Sequence, residues 1–289
     1  MVIDCKKLAE EIKDSVKRKV ETYTKLVGEH PKLAVVTSGI DPAGKIYVAN
    51  KRKACDEVGI DFELYKAERW DDCVEVLSGL NKDDTVNGII LQLPFIDINC
   101  KNFFDSLFSD DNMVDVISQE KDVDGLGNVN VGYLHKGSET CLKPATAKGV
   151  LKIIRSVDEP HSHKNVVIVG RSMLVGRPLA ELLLQHDYTV TVCHSKTKDL
   201  AEHTKRADIV VMATGVPKML TADMVKEGSI VIDVGINRDE NGKLCGDVDF
   251  ENVSKVAGHI TPVPKGVGLL TVACLLENVI TAAENQKYF

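Results

Sequence analysis

Basic charge, aromatic rings and clustered cysteines are all scarce in this 289-residue chain, and each scarcity removes a class of function. Lysine and arginine number 36 against 43 acidic residues, a net charge of −7 with no basic block, so a nucleic-acid partner is not expected. One Trp, six Tyr and seven Phe leave few rings on which bases could stack. The eight cysteines stand singly, without C-x-x-C or zinc spacing, and read as small core residues in a reducing compartment. His161 and His163 form an H-x-H that no Cys or carboxylate motif accompanies, so no metal is expected. No apolar run approaches the roughly 18 residues that span a bilayer. Residues 1–20 read as an amphipathic helix and not a signal peptide, which makes the cytoplasm the expected location and a membrane partner unexpected.

What is present is globular composition, 44% hydrophobic and 27% charged, with enough chain for about two domains. Short apolar runs alternate with helical patterns. Lys32–Gly39, Phe62–Glu68 and Gly88–Pro94 read as strands, with helices near 43–58 and 70–81 between them. After Pro144 a helix is expected to about Ser156, and a second series of strands follows at Asn165–Gly170, Thr189–His194, Ala207–Gly215 and Ser229–Ile236. Val and Ile on both parities suit parallel strands covered on both faces. The pattern implies two α/β domains with a cleft between them, the second a Rossmann-like doubly wound parallel sheet. Residues 1–144 with 270–289 are assigned to the first domain and 145–269 to the second, because a last helical pattern from Leu270 could return to the first.

The second series opens with a strand ending in Gly170-Arg171-Ser172-Met173-Leu174-Val175-Gly176 ahead of a helical pattern. Such a turn aims backbone N–H groups and the positive end of a helix at a pyrophosphate, although a strict G-x-G-x-x-G is missing. An Asp or Glu about 20 residues on would serve an NAD ribose hydroxyl. Cys193-His194-Ser195-Lys196 stand there instead. A hydroxyl and a lysine, with Arg171, suit the 2′-phosphate of NADP; a solvated strand end is the alternative. In the first series, Tyr47 and Lys51 share a helix face. That pair is either a solvated surface or, where burial lowers the lysine pKa, a general base beside a phenol.

Taken together, the residues resemble the methylenetetrahydrofolate dehydrogenase/cyclohydrolases, the bifunctional folate enzymes called FolD in bacteria. The resemblance covers nearly the whole chain. It rests on Asp41–Ala43 with Tyr47–Ala54, Gln92-Leu93-Pro94, Lys121-Asp122-Val123-Asp124-Gly125, Gly170–Pro178, Cys193–Thr197, Ala213-Thr214-Gly215, Gly246-Asp247-Val248 and Thr261–Pro264. It implies oxidation of 5,10-methylenetetrahydrofolate with NADP, then hydrolysis of the methenyl product to 10-formyltetrahydrofolate, in one-carbon metabolism that feeds purine biosynthesis. It further implies a catalytic Lys51 with Tyr47 over the folate ring, Gln92 tuning the lysine, and Asp124 and Pro264 at the substrate. Thr146, Gly170, Arg171, Ser172, Ser195, Ile236 and Thr271 would contact NADP, and the protein would be a homodimer.

Three segments depart from the family pattern. PCTPxG reads Pro144-Ala145-Thr146-Ala147-Lys148-Gly149, PGGVGPMT reads Pro264-Lys265-Gly266-Val267-Gly268-Leu269-Leu270-Thr271, and a longer acidic segment, Asp97–Glu120, follows Gln92-Leu93-Pro94. Lysine at position 265 is expected to need an ordinary backbone, its ammonium either solvated or reaching an anionic ligand. Competing readings are a dehydrogenase without hydrolase activity and a dinucleotide-sensing protein without chemistry.

Overall fold

The computed structural model describes residues 1–38, 42–95, 113–158 and 164–288, so His161, His163 and much of the acidic segment lie outside the described residues. The chain divides into two compact units: Glu11–Ala145 with Leu275–Phe289, and Met1–Glu10 with Thr146–Cys274.

The first unit is built on β1 (Lys32–Thr37), where Leu33, Ala34, Val35 and Val36 have no exposed surface. Complete burial on both faces demands cover on both sides, and the Leu and Val side chains each contribute about 1.5–3 kcal/mol. β1 pairs in parallel with β2 (Asp61–Lys66) and β3 (Gly88–Leu91), with Leu33 opposite both Phe62 and Gly88. Helix α1 (Cys5–Val27) buries Ala9, Val16, Val20 and Tyr23, one stripe at helical spacing. Helix α2 (Pro42–Val58) follows β1, and α3 (Trp70–Lys82) buries Trp70, Cys73, Leu77 and Leu80. Asp71 and Asp72 in the first turn of α3 and Lys82 in its last suit the helix dipole.

The second unit holds β4 (Asn165–Val169), β5 (Thr189–Cys193), β6 (Ile209–Met212), β7 (Ile230–Asp233), a small antiparallel hairpin of β8 (Asn237–Arg238) and β9 (Leu244–Cys245), and β10 (His259–Ile260). The main sheet runs β10-β7-β6-β4-β5, all parallel. The chain starts this sheet at β4 and builds outward on both sides, which is the doubly wound arrangement expected from the sequence.

Residues 1–10, grouped with the first domain in the sequence expectation, belong by contact to the second unit. Val2 bridges Ile260, Ile3 N–H donates to Ile260 O at 2.9 Å, and Ile260 N–H donates to Met1 O at 3.0 Å. The helix Val267–Tyr288 corrects another expectation, since by length and composition it could cross a membrane. Its apolar window is 61% buried inside the protein, and its Asn278 amide donates to Val123 O and Lys143 O at 2.9 and 2.8 Å. Those features mark a core helix. The described cysteines are free, and all but Cys245 are buried.

Candidate active site

Lys51 lies midway along α2, and Tyr47, one turn earlier, is 45% exposed. Gln92 follows β3 directly, its N–H donating to Val36 O at 2.8 Å so that the residue is locked to the end of β1. Its Nε2 donates to Leu93 O at 3.0 Å, which turns Oε1 toward α2, where Lys51 Nζ donates to it at 3.0 Å. The helix and the strand end thus deliver the lysine and its acceptor to one place. Burial pushes the Lys51 amine below the ordinary lysine range, while Asp124 opposes the shift. Cys55, one turn further along α2, is pushed up to about 12 by burial, so it is a neutral thiol near pH 7 and leaves Asp124 as the charge that matters. Arg52 sits over the Phe62 ring at 4.5 Å and Lys53 is exposed, so neither competes with Lys51.

Asp124 is held by two buried neighbours, Lys121 and Asp122. Lys121, only 5% exposed, donates to the carbonyls of Leu80, Asn81 and Asp83 at 3.0, 2.9 and 2.8 Å, capping the end of α3. The Asp122 carboxylate accepts from the N–H groups of Gly125 and Gly127 at 3.0 and 2.9 Å and from Asn130 Nδ2 at 2.9 Å. Lys121 and Asp122 therefore fasten the loop, and Asp124 stays half-buried and felt by Lys51. A buried Asn in an apolar helix, Asn278, was the signal that could have revealed the clamp on Val123. A cavity of about 780 Å³ in the same unit is lined by Tyr23, His30, Asn87, Lys121, Asn130 and Gln286, among others, and by neither Lys51 nor Gln92. Its polar walls bond to one another, as in Gln286 Nε2 to Asn87 O at 2.8 Å.

In the second unit the loops after β4, β5, β6 and β7 leave the same edge of the parallel sheet, the edge at which open α/β sheets bind ligands. Gly170 has φ +130, and a β-carbon there would strike Ala213 O; one on Gly176 would strike Gly170 O. The glycines thus let the turn fold onto itself and leave Arg171 and Ser172 exposed ahead of the helix Gly176–Leu184. Ser195 and Lys196 are exposed in a turn closed by His194 N–H to Thr197 Oγ1 at 2.9 Å. Ile236 is 50% exposed after β7, and Thr271 Oγ1 donates to Thr146 Oγ1 at 3.2 Å. Cations and hydroxyls gathered ahead of a helix start fit a phosphorylated dinucleotide. Pro264 is exposed, and Lys265 beside it departs from expectation with φ +73.

The model of the tetrahydrofolate dehydrogenase/cyclohydrolase catalytic domain matches residues 3–124, and that of the NAD(P)-binding domain of the same enzymes matches 144–287. The chain belongs to this family. It is 45% identical over 288 residues to the bifunctional protein FolD of Campylobacter jejuni (strain RM1221), covering 99% of each chain. A crystal structure of the FolD enzyme from Campylobacter jejuni is similar at TM-score 0.91, 44% identity and 99% coverage of both chains. The FolD enzyme of Trypanosoma brucei, solved with NADP cofactor and an inhibitor, matches at TM-score 0.90 and 32% identity over 100% of this chain and 99% of that one.

Proposed function

We propose that this protein oxidises 5,10-methylenetetrahydrofolate to 5,10-methenyltetrahydrofolate with NADP and hydrolyses the product to 10-formyltetrahydrofolate. The observation that carries the reading is the half-buried Lys51, its amine bonded to Gln92 and depressed in pKa beside Asp124. NADP, when bound, accepts the hydride. Hydride loss leaves an amidinium cation that spreads its own charge, so that step asks the protein mainly for alignment. Tyr47 would lie over the folate ring, with Asp124 and Pro264 contacting the substrate. Arg171, Ser172 and Ser195 would hold phosphates, and Thr146, Gly170, Ile236 and Thr271 would shape the rest of the cofactor site.

Hydrolysis asks for more. Neutral Lys51 takes a proton from the water attacking the methenyl carbon, and the resulting ammonium returns a proton to the ring nitrogen that leaves. Gln92 keeps the amine aimed, and a cationic intermediate nearby favours its neutral form. Retention of the Lys51–Gln92 pair argues against a dehydrogenase without hydrolase activity. The exposure of Tyr47 argues against a purely sensing protein, in which that face would be packed shut. The same reading makes the protein a cytoplasmic homodimer whose product supplies purine biosynthesis.

A spectroscopic assay with methylenetetrahydrofolate and either NADP or NAD tests the proposal. Methenyl product should form with NADP and then decay faster than the uncatalysed rate. Reduction of neither cofactor, or equal efficiency with NAD, would contradict it.

A further inference from the structure

At the carboxyl ends of β6 and β7 two buried carboxylates join loops that are distant in sequence. Asp247 is fully buried, and its Oδ2 accepts from Thr214 N–H at 2.6 Å, Thr214 Oγ1 at 2.9 Å and Gly215 N–H at 3.0 Å. Its Oδ1 accepts from Asn237 Nδ2 at 2.8 Å. Asp233, also buried, accepts from Gly235 N–H, Asp247 N–H and Val248 N–H, each at 3.0 Å. Glycine makes the room. A β-carbon on Gly235 would strike Asp247 Oδ1, and one on Gly246 would strike Asp233 Oδ2.

Among the described residues no lysine or arginine pairs with Asp247. Burying an ion without a countercharge is expensive, and apolar packing would stabilise a fold at least as well. What the carboxylate supplies is fixed geometry. Ile236 stands between Gly235, bound through its N–H by Asp233, and Asn237, bound through its amide by Asp247. Val216, 49% exposed, follows the Thr214-Gly215 pair that the other Asp247 oxygen holds. Two exposed aliphatic side chains on neighbouring strand ends are thereby set by one carboxylate.

We propose that Asp247 is a positioning residue for dinucleotide binding, holding the Thr214–Val216 and Gly235–Asn237 segments in the arrangement that receives the cofactor. The proposal rests on the NADP reading of this sheet edge. It adds a residue that touches no ligand itself and acts through Thr214, Gly215 and Asn237.

Fluorescence titration of NADPH into the full-length chain tests it, with Asp247→Asn and the milder Asn237→Ala as variants. Melting curves and hydrolysis of methenyltetrahydrofolate supplied without dinucleotide are measured in parallel. Asp247→Asn places an NH₂ group against donors, so the Kd should rise about tenfold or more, and Asn237→Ala should raise it about threefold. Hydrolysis should stay within about twofold, because that step draws on Lys51 and not on a dinucleotide. Should Asp247→Asn fail to fold, Asn237→Ala decides. Unchanged Kd in folded variants overturns the proposal. So does a loss of hydrolysis in step with NADPH binding and melting temperature, which marks general destabilisation. A wild-type chain that hydrolyses the folate yet does not bind NADPH overturns the reading of the cofactor site itself.

Discussion

Replacing Lys265 by glycine should stabilise the unit that carries it. Lys265 is exposed and sits at φ +73, in the left-handed region. A residue with a β-carbon pays about 1–2 kcal/mol there. The turn has little freedom to relax, because Gly266 is pressed so close to Pro262 that a β-carbon on it would strike the Pro262 carbonyl. Glycine removes the penalty but loosens the unfolded chain by roughly 0.5–1 kcal/mol. The two ranges leave a net gain of about 0–1.5 kcal/mol, and the midpoint corresponds to roughly 2–3 °C in melting temperature. Lys265→Asn should recover part of this, since Asn tolerates the left-handed region, whereas Lys265→Gln should recover none. Scanning calorimetry of the three variants beside the wild type reads the order directly. A glycine variant melting at or below the wild type, with Gln unchanged, would refute the strain argument. The Gln variant also isolates charge: if the ammonium attracts the glutamyl tail, its KM for polyglutamylated folate rises at low salt and the difference fades at high ionic strength.

Arg171→Ala and Ser195→Ala should each weaken NADP binding and leave NAD little changed, since a phosphate loses a charge-assisted partner worth about 1.5–3 kcal/mol; equal losses for both cofactors in steady-state assays would count against the assignment. The hydrolysis rate should rise with pH as the Lys51 ammonium loses its proton, with a midpoint below the ordinary lysine value. Asp124→Asn, by removing the charge that holds this pKa up, should move the midpoint lower still at saturating substrate; an upward move would reverse the electrostatic reasoning. Lys121→Met should cost about 2–3 kcal/mol by stripping the Leu80, Asn81 and Asp83 carbonyls of a buried charged donor, and a melting temperature unchanged from wild type would place that ammonium in solvent instead.

The strands were legible because Leu33–Val36 and Ile209–Met212 carry apolar side chains on both parities, a signature of burial on both faces. Strand ends were less so. The run Gly88–Pro94 reads as one strand, yet the strand ends at Leu91, and the Gln92 N–H makes a further bond to β1 at Val36 O. Long-range contacts left no local trace: nothing in Met1–Ile3 indicates that Ile260 is its partner. Charge is usually exposed, and only the carbonyls at the end of α3 that converge on Lys121 and the N–H groups just after Asp122 show why these two residues are buried. The glycine turn reads as one that aims N–H groups at a pyrophosphate; packing against Ala213 O and within the turn is a second requirement for Gly170 and Gly176 that the motif does not spell out.

The most direct test of Lys51 as the proton carrier is the Lys51→Met variant, followed through a single progress curve with methylenetetrahydrofolate and NADP. Hydride transfer should remain measurable, because it depends on alignment. Hydrolysis should fall by about 10²–10⁴, so that methenyl product accumulates in step with NADPH and decays only at the uncatalysed rate. Decay of the methenyl product at the wild-type rate would contradict the assignment.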